Sequence, residues 1–208
     1  MPHPHSIIGL VGLAVVAATV LGTEAKGQEW PCVQRKVATL TSAQFWDGPQ
    51  VEGLTQWHDN EAIAKLIPLL TSRRVTVEEA AAAIEQFAAA QPQQKRDEAL
   101  KLLFAGVLQT VNNDRNIVIN GIERFQQRQR ARAHEIERQG VEMHQLKERA
   151  ATDEAARAAL RVAEDKYNWD VRVFTERQQS LPLACEVPTL IEQRLFALGR
   201  EIRTHMQD

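Results

Sequence analysis

The sequence predicts an all-α protein: a helical bundle with a long antiparallel helical hairpin and an irregular N-terminal segment rich in tryptophan and proline. Three observations predict it. Apolar residues recur at helical spacing behind clear cap signatures. Two long runs without proline follow one another with one short turn between them. No stretch alternates apolar and polar residues for long enough to make a strand.

The chain opens on an apolar run from Ile7 to Leu21, followed by Thr23 and Ala25 at the −3 and −1 positions of a cut before Lys26. As a helix, these 15 residues reach about 22 Å against a hydrocarbon core of about 30 Å, short for a permanent span. Residues 1–25 are therefore expected to be a cleaved signal peptide, and the chain to be exported to a periplasm or secreted. The preceding MPHPHS carries no Lys or Arg, unlike an ordinary signal, and an uncleaved run would instead tether the chain to a membrane. Removing residues 1–25 leaves 25 basic and 26 acidic side chains on 183 residues. That length suits one domain, and so balanced a charge disfavours nucleic acid as a partner.

Residues 26–58 hold Trp30, Trp46 and Trp57 with Pro31 and Pro49 and show little periodicity, so they are expected to wrap over the bundle as a strap. The bundle itself is expected over 59–208, in one domain with the strap. Its first helix follows Asp59 and Asn60 and carries Ile63, Leu66, Ile67 and Leu70. Thr76 and Glu79 form a capping box for an alanine-rich helix to about Ala90. After Pro92 a third short helix runs through Leu100, Leu103, Phe104 and Leu108. Asn112, Asn113 and Asp114 then read as a break, with Asp114 capping a long helix to about Ala150. Thr152 and Asp153 turn the chain into a second long helix that ends before Pro182, and Pro188 begins a last helix through Leu195, Leu198 and Ile202.

Alternating steps of four and three from Val118 trace a coiled-coil seam through Ile122, Phe125, Gln129, Arg132, Ile136, Gln139, Met143 and Leu146. The matching seam on the second helix is Ala156, Leu160, Ala163, Tyr167, Asp170, Phe174, Arg177 and Leu181. Antiparallel pairing about the turn sets Ile136 opposite Tyr167, Met143 opposite Leu160 and Arg132 opposite Asp170. A charge in an apolar seam is costly alone and tolerable when paired, so Arg132 and Asp170 are expected to form a structural ion pair that helps fix register.

Cys32 and Cys185 are the only cysteines. An exported chain with two thiols and no CxxC spacing is expected to join them. The bond would close a loop of about 154 residues, contributing up to about 5 kcal/mol in the chain-entropy account.

Candidate chemistry is sparse. Asp114, Arg115, Glu123 and Arg124 form the densest candidate polar site, with Glu186 and Glu192 as further carboxylates that could face it across a cleft. In the plainer reading, Asp114 caps a helix and the others make ion pairs. His58 beside Asp59 could serve as a base or a ligand, though a cap with a histidine neighbour explains it as well. His134 and His144 lie about 15 Å apart along one helix and cannot share an ion. No phosphate loop, GxSxG, HExxH, EF-hand or haem-attachment motif is present, and no catalytic residue, metal site or cofactor is assigned. The mixed-charge run from Glu123 to Arg149 implies a hairpin arm of about 40 Å, long for a compact domain. These features favour a non-enzymatic scaffold, chaperone-like or assembly factor that binds a protein partner. The alternative is a small-ligand or metal-binding protein, or a hydrolase, built around Glu123 and Arg124.

Overall fold

The computed structural model describes residues 30–207; the expected signal segment, 1–25, lies outside them. Four α-helices follow the strap: α1 (Glu61–Thr71), α2 (Val77–Ala89), α3 (Arg96–Arg149) and α4 (Glu154–Thr204). Strand is absent among the described residues, and the fold is all-α. Asn60 caps α1, its side-chain oxygen accepting from the amides of Ala62 at 3.1 Å and Ile63 at 3.2 Å. Thr76 and Glu79 close the capping box on α2, and Asp153 caps α4 by accepting from Ala155 at 2.9 Å. Arg157 donates to the Ala150 carbonyl at 2.9 Å, covering one of the open carbonyls that end α3.

The expected helix boundaries differ from the structure in two places. Asn112, Asn113 and Asp114 do not break the chain, and Asp114 caps nothing: the third short helix and the first long one are both α3, 54 residues and about 80 Å long. Asn112 is used by the strap instead. Its amide donates to the Leu40 carbonyl at 3.0 Å and its oxygen accepts from the Leu40 amide at 2.8 Å. The helix penalty of an asparagine is a fraction of a kcal/mol, which two tertiary hydrogen bonds outweigh.

The second difference is that α4 runs through Pro182 and Pro188 without ending. A proline inside a free helix costs about 3 kcal/mol through its missing N–H and its clash with the carbonyl four residues earlier. Tertiary anchors on both sides of Pro188 hold the helix. Pro188 is itself buried, Cys185 is bonded to the strap, and Leu195, Leu198 and Ile202 sit in the core.

That core lies at the end of the hairpin farthest from the turn, the end that the strap, α1 and α2 close. Leu100, Leu103, Phe104 and Val107 of α3 meet Leu195, Leu198 and Ile202 of α4, and α1 adds Ile63, Ile67 and Leu70 while α2 adds Ala80 and Ile84. Each fully buried Leu or Ile contributes about 1.5–3 kcal/mol. The strap closes the end with Leu40, Trp46, Val51 and Trp57. The Trp46 ring stacks on Phe104 with centroids 4.3 Å apart, and the Trp57 indole N–H donates to Gln109 at 2.9 Å. Two glycines permit these approaches. A Cβ on Gly199 would strike the Phe45 carbonyl of the strap, and one on Gly106 would strike Ile67 and Trp57.

Candidate functional site

The strap runs antiparallel to α3 and is fastened along one face of it. Cys32 is bonded to Cys185, with Cα atoms 5.5 Å apart, and the bond is packed with Ile122, Trp30 and Val118. Lys36 pairs with Glu123, the Val37 carbonyl accepts from Arg115, and Leu40 binds Asn112. Cys185 sits within α4 rather than just before a separate last helix, so the bond ties the strap to the middle of a continuous rod.

These fastenings disperse the candidate polar site. Arg115, 3 % exposed, donates its Nε to Glu192 at 2.8 Å and a second N–H to Val37, so it bridges strap and α4. Glu123 is occupied by Lys36. Arg124 is exposed, and Asp114 lines a small hollow of about 160 Å³ with Arg73 and Arg194. The four residues do not converge on one cleft. Burial pushes the Arg194 guanidinium below its ordinary value, and its N–H groups close the end of α1 by donating to Leu70 at 2.7 Å and Val75 at 2.8 Å. A second cleft of about 350 Å³ opens under the strap beside Thr39, Leu54, Glu52 and Asn113. Hydrogen bonds from Ser42 hold the Glu52 carboxyl below its usual range.

The other candidates are local. His58 stacks on Trp57 with ring centroids 3.4 Å apart. His134 lies 3.8 Å from Glu137 and His144 lies 3.5 Å from Glu148, each along its own helix surface. Among the described residues, no group of three or more His, Cys, Asp or Glu side chains could hold a metal ion. No described helix is long and apolar enough to cross a membrane.

Beyond the core the hairpin seam becomes polar. Arg132 and Asp170 meet at 2.9 Å, and Gln129 donates to the Phe174 carbonyl at 3.2 Å. Gln139 is the hub that sequence reasoning missed: its amide donates to Asp170 at 2.9 Å and to Glu135 at 3.0 Å. Its place on the seam was readable, but its partners were not, because an amide can serve either helix. Lys166 completes the cluster 3.0 Å from Asp170. Hydrogen bonds from Arg138, then from Gln139, lower the Glu135 carboxyl to about 2. Asp170 is held below its usual range by Gln139, then by Lys166, with Arg132 adding attraction. Arg177, placed on the seam by its spacing, is exposed, and the Tyr167 ring lies alongside Gly140.

Among the described residues, the face of the hairpin opposite the strap is open. Glu123 meets the strap, and Gly121, two residues earlier and about 200° around the helix, points the other way. Three shallow grooves follow this open face. The first, about 460 Å³, is floored by Val118, Ile122, Phe125, Ala184 and Val187. The next, about 500 Å³, is lined by Arg128, Glu135, Asp170 and Arg177, and the last, about 380 Å³, by Leu146, Ala159 and Val162. The α4 rim carries Val162, Trp169, Leu183 and Leu190, exposed 70, 58, 66 and 51 %. Their numbers fall on one seven-residue repeat, with Glu176 at its centre, so they share one side of α4. Comparison with known proteins finds no match: no family model fits the chain, and no curated protein or solved structure is similar to it.

Proposed function

We propose that this chain is an exported, non-enzymatic helical protein that serves as a scaffold, chaperone-like or assembly factor and holds a protein partner along its hairpin. One observation carries the proposal: the exposed row of Val162, Trp169, Leu183 and Leu190 on a rod that already has its own inner seam. A large apolar stripe kept in water is a liability unless something covers it, and such stripes mark interaction sites. The polar candidates support the same reading, because Arg115, Glu123 and Glu192 are taken up in holding strap and helices together. The disulfide suits an oxidising compartment, which in turn suits removal of residues 1–25.

The test is capture from the compartment where the protein resides, with the wild-type chain and with Trp169→Glu plus Leu183→Glu, followed by identification of the bound protein. The wild type is expected to retain a partner that the double variant loses while keeping its helical circular dichroism. Identical eluates from the two chains would refute the proposal. Mass spectrometry of the purified chain tests export separately, with Lys26 the expected first residue.

A further inference from the structure

We infer that the half of the open groove nearest the core receives an acidic amphipathic helix of the partner protein; the inference rests on the partner-holding function proposed above. The first support is charge. Arg73 and Arg128 line this groove, and Arg128 and Arg177 line its continuation, yet none of the three belongs to an ion pair among the described residues. Farther along the same rods the pattern reverses. Arg138 is paired with Glu135 and Glu142, Arg132 with Asp170, and Lys166 with Asp170. One half of the groove is therefore electrostatically closed and the other offers three unmatched cations.

The second support is the floor. Val118, Ile122, Phe125, Ala184 and Val187 form an apolar trough between two antiparallel helices, with Ile117 and Leu183 exposed at its rims. A third helix laid there would bury its own apolar stripe in the manner of a three-stranded coiled coil. A small anion would leave the trough unused, and a purely apolar segment would leave the arginines unmatched. The run from Ile7 to Leu21 holds no acidic residue and so does not supply what the groove lacks.

The third support is Gly121. A glycine inside a long helix weakens it, and packing among the described residues gives no reason for this one, since a Cβ there would meet none of their atoms within 4 Å. Gly106 and Gly199, by contrast, have no room for a Cβ. A glycine on the groove floor allows the backbone of an incoming helix to approach closely.

The experiment uses the purified disulfide-bonded chain and fluorescent designed helices of about 21 residues, six turns long. One carries Leu at its heptad core and Glu on its flanks, the second has Lys in place of Glu, and the third is the first in scrambled order. The Glu peptide is expected to bind at least about tenfold more tightly than the other two, with affinity falling as salt rises. Hydrogen-exchange protection should gather at 118–128 and 177–187. Arg128→Glu with Arg177→Glu, or Gly121→Leu alone, should weaken binding by about tenfold or more with the circular dichroism unchanged; Arg128→Gln with Arg177→Gln serves if charge reversal disturbs folding. Equal binding of all three peptides overturns the inference, as does full binding by Gly121→Leu. So does a groove already protected in the free chain by a second copy or by the chain's own N-terminal residues. A native partner lost with Trp169→Glu and Leu183→Glu but retained by the Arg128, Arg177 and Gly121 variants would defeat the acidic-helix assignment alone. Capture of no partner by any chain would defeat the function beneath it.

Discussion

The same two helices are held together in two different ways along their length. At the closed end, α3 and α4 meet through Leu100, Leu103, Phe104, Leu195, Leu198 and Ile202, and α1, α2 and the strap exclude water from them. Toward the turn no other described element covers the pair, and the seam passes through Gln129, Arg132, Gln139 and Asp170. Burial of apolar area is strong and indifferent to direction, whereas hydrogen-bonded polar layers contribute less and tolerate one register only. The closed end holds the larger apolar core, and the arm aligns its two helices through polar layers set between smaller apolar contacts at Ile122, Leu146 and Ala156.

The most direct way to break this contrast is to make one truncation in both regions. Phe104 is fully buried and stacked on Trp46, while Phe174 is half-buried in the arm. Phe104→Ala is expected to cost about 3–5 kcal/mol in chemical denaturation and Phe174→Ala about 1–2 kcal/mol. Equal losses would mean that the apolar contacts of the arm match those of the closed end. Next in size is the disulfide. Replacing Cys32 and Cys185 together by Ser should cost about 2–5 kcal/mol and shift the emission of Trp46 and Trp57 toward that of exposed indole. An unchanged midpoint would show that Arg115, Asn112 and Glu123 hold the strap by themselves.

Sequence reasoning succeeded where the signal was local. The caps at Asn60, Thr76 and Asp153 are short-range stereochemistry, the seam is a repeat, and a lone pair of cysteines leaves one pairing. It failed where distant residues overrule a local preference. Asn112 signals a break by its local preference, while the strap partner that keeps it helical, Leu40, lies 72 positions away. Pro182 and Pro188 signal helix ends because their cost is local, whereas their compensation, through Cys185 and the buried end of α4, is not. The candidate polar site failed for a related reason. Asp114, Arg115, Glu123 and Arg124 are near in sequence, but a helix turns neighbours 100° apart and sends them to different faces. The groove opposite the strap was invisible for lack of a distance between α3 and α4.

The glycines of α3 sharpen the comparison at smaller cost. Gly106→Ala should destabilise by about 1–3 kcal/mol, because the methyl group has no room beside Ile67 and Trp57. Gly121→Ala should stabilise by about 0.5–1 kcal/mol through better helix propensity alone. A loss at Gly121 would place an unseen neighbour on the groove floor of the free chain. Smaller still is the register pair. Arg132 and Asp170 are partly exposed, so a double-mutant cycle with alanine should give a coupling of about 0.5–1 kcal/mol. A coupling near zero would leave Gln139 as the principal lock between the helices.

Acid should separate the two regions without any mutation. The folded chain holds Glu135 at about 2 against an ordinary value of 4.5, chiefly through Arg138 and then Gln139, and Asp170 is lowered by Gln139 and Lys166. A carboxylate with a depressed folded value favours the folded arm above its ordinary value, and the advantage disappears as pH falls through the folded value. The arm is therefore expected to loosen between about pH 4.5 and about 2, the interval set by the ordinary and the folded values of Glu135. Apolar contacts among Leu103, Phe104 and Leu198 have no proton to gain, so the closed end should keep its slow amides over the same interval. Both carboxylates stand near water and their attraction is screened, so the effect should shrink further in high salt. Amide exchange at 132–140, normalised to that at 100–108, measures the difference, and a Glu135 carboxyl titrating at its ordinary value would remove the polar lock from the account of the arm.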